Sequence, residues 1–91
     1  MVIHNPLVDE HRAHILGTLL ENKKITISEL AKKLNLSATS IRHHIDVLKD
    51  ANIISLEISG RKTYIKLRED KLAINAAKVL IQLYERKFYQ K

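Results

Sequence analysis

Leu30-Ala31-Lys32-Lys33-Leu34-Asn35-Leu36-Ser37-Ala38-Thr39-Ser40-Ile41-Arg42-His43-His44-Ile45 is the stretch on which the reading of this chain turns. It reads as two helices joined by a tight turn. Leu30, Ala31 and Leu34 form the inward face of a helix over about 27–34. Asn35-Leu36-Ser37 makes the turn. Asn35 falls where the backbone needs a positive φ, which asparagine tolerates better than most residues. Ser37 is the natural N-cap of the next helix, over about 38–51. Ile41, Ile45 and Leu48 recur at i, i+4, i+7 and give that helix a single apolar stripe. Ala31 is small where the two helices must cross closely, and Ile41 fills the gap between them.

Working toward the N-terminus, Thr26-Ile27-Ser28-Glu29 has capping-box spacing, and Ile25-Thr26-Ile27 reads as a short strand. Before it lies a helix expected to start at Asn5-Pro6 and to end near Asn22. Its inward face is Val8, Ile15, Leu16, Leu19 and Leu20; Glu10, His11, His14, Thr18 and Glu21 lie opposite. Toward the C-terminus, Asn52 reads as a left-handed helix end. Ile54, Leu56 and Ile58 then alternate with Ser55, Glu57 and Ser59. Ser59-Gly60-Arg61-Lys62 turns the chain and Thr63-Tyr64-Ile65-Lys66-Leu67 returns, a β-hairpin with a basic tip. From Glu69 onward the pattern is helical.

Composition sets the frame. The chain has 91 residues, 45% hydrophobic and 29% charged, which is a globular mixture expected to fold as one domain over 1–91. Cysteine is absent, which excludes disulfides, cysteine-ligated metals and thiol chemistry. No apolar run approaches the ~20 residues of a membrane span. Met1-Val2-Ile3-His4-Asn5 has neither the basic start nor the apolar stretch of a secretory signal, so the expected location is the cytoplasm. Sixteen Lys and Arg against ten Asp and Glu give a net charge of +6. All of that excess lies in residues 23–68, because the two ends cancel. A basic centre between weakly charged ends is the footprint of a polyanion partner.

Leu30 to Ile54 resembles the ArsR/MarR-like winged-helix transcription regulators. Gly60-Arg61-Lys62-Thr63-Tyr64-Ile65-Lys66-Leu67 looks like their wing, and Ser37 to Ile45 closely matches the recognition-helix pattern of the ArsR-type members. The similarity is good over 25–67 and holds only in outline beyond. Asn35 and Asn52 stand where those families usually have glycine, a backbone-compatible departure. The fold class expected is mainly α with a small β-hairpin (α+β), a winged helix-turn-helix in the order α-β-α-α-β-β-α.

The second helix of the pair fits the major groove. Opposite its apolar stripe lie Ala38, Thr39, Arg42, His43 and Asp46. Arg42 can donate two hydrogen bonds to guanine. Thr39 can meet a thymine methyl or a phosphate, and His43 a purine N7 or a phosphate. Asp46 is placed to orient Arg42 or to accept from cytosine. Ser37 and the free amides beside it suit a phosphate. Arg61 and Lys62 at the hairpin tip suit the backbone or the minor groove. Protonation of His43 and His44 is expected to tighten DNA binding as pH falls through about 6.5.

The last helix, 69–91, carries an apolar arc roughly twice the ~100° that covers a domain. Leu72, Ala76, Val79 and Leu83 form one stripe. Ile74, Ala77, Ile81, Tyr84 and Phe88 form a second, with Ala73 and Leu80 between. The second stripe is assigned to a homodimer interface, in line with the paired terminal helices that the resemblance implies.

His11 and His14, at i, i+3, have a spacing that zinc accepts, but the cysteine motif of metal sensors is absent and the last helix has no histidine. No metal and no cofactor is expected. No Gly-rich phosphate loop, nucleophile elbow or paired carboxylate set is present, so the chain is not read as an enzyme. The leading function is a homodimeric, sequence-specific regulator on double-stranded DNA. The alternatives are an architectural DNA-binding protein with little sequence preference, and a winged helix serving as a protein–protein module, which would not need a basic wing.

Overall fold

The computed structural model describes residues 7–89, with side chains through residue 86. The elements are α1 (Glu10–Glu21), β1 (Ile25–Thr26), α2 (Ile27–Leu34), α3 (Ala38–Asp50), β2 (Ile54–Ser59), β3 (Lys62–Leu67) and α4 (Lys71–Tyr89). The expected order α-β-α-α-β-β-α is the observed one. The three strands form one antiparallel sheet in the order β1-β3-β2.

Local chemistry sets the boundaries. Thr26 accepts from the Glu29 amide while the Glu29 carboxylate accepts from the Thr26 amide, a complete capping box. Such a cap stabilises a helix by about 1 kcal/mol. Helices α2 and α3 end alike. Asn35 (φ 54°) and Asn52 (φ 60°) are left-handed. The next amides reach back, Leu36 to the Ala31 carbonyl and Ile53 to the Leu48 carbonyl. These bonds satisfy end carbonyls and turn Leu36 and Ile53 toward the interior.

Helix α1 starts later than its sequence suggested. Leu7, Val8 and Asp9 are not helical, and Asp9 is the N-cap, its carboxylate accepting from the amides of His11 (2.9 Å) and Arg12 (3.1 Å). Asn5 and Pro6 lie outside the described residues. The aspartate cap outcompetes a proline start because its charge also meets the positive end of the helix. The faces of α1 differ too. Ile15, Leu16 and Leu19 are buried as expected, but so are Thr18 and Arg12, and Leu20 is exposed. Thr18 becomes compatible with burial by donating its hydroxyl to the His14 carbonyl (2.9 Å).

The core joins all the elements: Ile15, Leu16, Leu30, Ile41, Leu48 and Ile65 are almost wholly excluded from solvent. Removing one such side chain typically costs 2–5 kcal/mol. The hairpin outruns this core. Along one face of β2, exposure climbs from 2% at Ile54 to 40% at Leu56 and 77% at Ile58. The distal hairpin is thus a projecting wing.

Helix α4 packs on α1 and buries Ala73, Ala77 and Leu80. This packing takes up part of the stripe expected at a dimer interface. Ala77 is fully buried within the monomer, and Ile81 packs against the same core. Ile74 and Tyr84 are half-buried, and the side chain of Phe88 lies outside the described residues. The apolar side chains left outward belong to the other stripe: Leu72 is 83% exposed and Val79 48%.

Candidate nucleic-acid interface

The outer face of α3 is built by its inner one. Ile41, Ile45 and Leu48 are buried, which turns Ala38, Thr39, Arg42, His43 and Asp46 outward, all exposed. No side-chain hydrogen bond or ion pair among the described residues engages Thr39, Arg42 or Asp46. Arg42 therefore presents its full donor fork to solvent. Asp46, one turn on, does not orient it. Ser37 is exposed, but its hydroxyl oxygen already accepts from the Ser40 amide (3.1 Å). The serine is first a cap; the neighbouring amides remain for an anion.

The wing closes on the pair Ser59↔Lys62, leaving Gly60 and Arg61 as a two-residue loop. Gly60 has φ +62°, the first-position glycine of a type II′ hairpin turn. Arg61 and Lys62 are exposed at this tip. Lys24, by contrast, is committed to the sheet. Its Nζ lies 2.9 Å from Glu57 and 4.5 Å from the centre of the Tyr64 ring. The Glu57 contact raises the lysine's pKa and lowers the glutamate's. A groove of about 890 Å³ opens between the end of α1, the hairpin and the start of α4, and no residue of α3 lines it. The candidate surface is a protruding helix and wing, not a pocket.

His44 departs from expectation. It is on α3 but faces inward, 9% exposed. Its Nδ1 lies 3.1 Å from Nη1 of Arg12, which is equally buried on α1. Burial pushes its pKa below the ordinary imidazole value, opposed by Asp9 and reinforced by the charge of Arg12. The Asp9 pKa is lowered as well: burial raises it, but the Arg12 amide and guanidinium, with His44 and the His11 amide, more than offset this. Only His43 of the histidine pair is on the outer face. Nothing in the sequence flags Arg12, because an arginine on an amphipathic helix is ordinarily solvated. Among the described residues, no group of three or more histidines and acids is placed to hold a metal.

A protruding polar helix with a flanking basic wing is the arrangement that enters a major groove and straddles its backbone. A family model described as winged helix-turn-helix DNA-binding matches residues 8–55, more than half of the chain. The chain belongs to that family. Among its relatives is the transcriptional repressor SdpR of Bacillus subtilis, 34% identical over 65 residues that make up 71% of each chain. The arsenical resistance operon repressor of the same organism is 26% identical over 66 residues, 72% of this chain and 63% of that one. Similar solved structures include reduced HlyU from Vibrio cholerae, with a TM-score of 0.70 at 20% identity, covering 93% of this chain and 82% of that one. Staphylococcus aureus MepR in a DNA complex has a TM-score of 0.71 at 16% identity, covering 90% and 68%. These structures share the winged-helix fold with this family member. Among its described residues, no helix is long and apolar enough to cross a membrane.

Proposed function

We propose that this chain is a sequence-specific, DNA-binding transcription regulator, cytoplasmic and non-enzymatic, that acts as a homodimer. The observation that carries the reading is the outer face of α3, where Arg42 and Thr39 have no partner among the described residues. Arg42 reads guanine, Thr39 and His43 contact adjacent bases or phosphates, and Asp46 accepts from cytosine or tunes its neighbours. Ala38 allows close approach, and the amides after Ser37 hold a phosphate. Arg61 and Lys62 grip the flanking backbone or minor groove. Repression is the favoured outcome, since both curated relatives are named as repressors.

The dimer is carried by α4. Its seam is centred on Leu72 and Val79, because these are the large apolar residues of α4 that its own domain leaves exposed; Ala76 and Leu83, half-buried on the same stripe, flank them. Two recognition helices related by a twofold axis would read half-sites about 34 Å apart. Selection of bound duplexes from a random pool tests this function. The expected product is a pseudo-palindrome with that spacing. Enrichment of no sequence, despite binding, would replace the reading by an architectural role; no binding at low salt would replace it by a protein-interaction module.

A further inference from the structure

The polar cluster beneath α3 is not used by the DNA-reading face. An arginine guanidinium can only donate, so its contact with Nδ1 of His44 requires that nitrogen to accept. His44 is then neutral, with its proton on Nε2. Arg12 is held from its other side as well, its Nε donating to the Leu7 carbonyl (3.3 Å). Asp9, which caps α1, places Oδ2 at 3.9 Å from the same Nδ1. The rings of His11 and His43 each lie 5.5 Å from the His44 ring, centre to centre. Among the described residues, the charged and titratable groups around His44 are therefore Asp9, His11 and Arg12 from the start of α1, and His43 from α3.

We propose that Arg12 and His44 form a pH-sensitive latch that fixes how the recognition helix sits on α1, and that a proton on His44 opens it. A proton on Nδ1 removes the acceptor and sets an imidazolium against the guanidinium. Among the described residues, the carboxylate beside this pair is that of Asp9, which already accepts from two amides. Arg12 and His44 are thus positioning residues, and for DNA binding this rests on the reading above. The consequence is opposed signs within one histidine pair. A proton on exposed His43 adds attraction to phosphate; a proton on His44 loosens the helix that carries His43.

The stability effect has a definite direction. Folding holds His44 below its unfolded value, so the unfolded chain takes the proton first as pH falls. Stability is complete above about 6.5 and declines below it until the folded group is itself protonated. One proton limits the decline to about tenfold in the folding constant per pH unit.

The test compares the wild type with His44→Asn, whose Oδ1 can accept from Arg12 without titrating. Imidazole nitrogen NMR should show His44 as the Nε2–H tautomer at pH 8, titrating below the ordinary imidazole value. Urea unfolding between pH 8 and 5 should show a steeper loss of stability in the wild type, with the two proteins similar at pH 8. On a selected duplex, His44→Asn should gain more affinity on acidification, because His43 then acts alone. His44 titrating at or above the ordinary value, or equal stability slopes in the two proteins, would overturn the latch. If His44→Asn does not fold, Arg12→Met decides: loss of the guanidinium must raise the His44 titration point, and an unmoved point overturns the proposal. Absence of duplex binding at every pH, with the NMR pattern intact, supports the latch and overturns the DNA reading instead.

Discussion

Helix α3 exposes Thr39, Arg42, His43 and Asp46 opposite one apolar stripe, whereas α4 exposes Leu72 and Val79 opposite the Ala73, Ala77 and Leu80 that it buries. The two helices lie on one core and differ in what they leave for a partner. The surface of α3 offers donors and charge, which suit a hydrated polyanion. The surface of α4 offers apolar area, which suits another protein surface, and a thin core gains from covering it. On the function proposed above, specificity and avidity fall to separate helices, and substitutions on one should leave the other's property intact.

The largest effect is expected at the α4 seam. Leu72→Glu with Val79→Glu should yield monomers in sedimentation at micromolar concentration. Duplex affinity should fall by roughly 10²–10⁴-fold, because the second half-site no longer binds intramolecularly. Thermal stability of the monomer fold should change little, since both side chains are exposed. Ile81→Glu is the control from the opposite side of the helix: it should lower stability, because Ile81 packs on the core. A double variant that remains dimeric and binds as before would remove α4 from the assembly.

Next comes Arg42→Ala, expected to cost about 1–3 kcal/mol per half-site and to relax the preference at one base pair. Equal loss on every sequence would make Arg42 a phosphate contact. Arg61→Ala with Lys62→Ala should act on salt dependence more than on preference. Up to four phosphate contacts per dimer disappear, so the slope of log K against log salt should become shallower by up to about 3.6. An unchanged slope would place the wing off the DNA. The smallest effect is structural. Asn35→Ala should cost about 1 kcal/mol in urea unfolding, because its φ of 54° is strained for a residue with a Cβ and no local hydrogen bond. Asn35→Gly should cost nothing, and equal losses for both would point to a side-chain role.

The same contrast explains what the sequence made legible. Helices α2 and α3 each carry one apolar stripe, so Leu30, Ile41, Ile45 and Leu48 could face only one way. The caps at Thr26 and Ser37 and the left-handed Asn35 and Asn52 are local chemistry, readable from neighbours a few residues apart. The arc of α4 is wide enough to bury either side, so periodicity alone does not say which stripe its own domain covers; Ala77 is buried and Ile81 packs partly against the core. Arg12, Asp9 and His44 were illegible for a related reason. They meet across 32 residues of sequence between Arg12 and His44, and no local pattern marks a polar residue that will be buried with its partner. The start of α1 is ambiguous in the sequence because Asn5-Pro6 and Asp9 are both competent caps, and the charge of Asp9 at the positive helix end favours the later start.

Chemical-shift mapping of the labelled protein with a selected duplex tests the division between the two helices most directly. The account predicts that DNA shifts the amides and side chains of Thr39, Arg42, His43 and Arg61 and leaves those of Leu72, Val79 and their neighbours on α4 unmoved. Perturbations centred on α4, with the outer face of α3 silent, would contradict it.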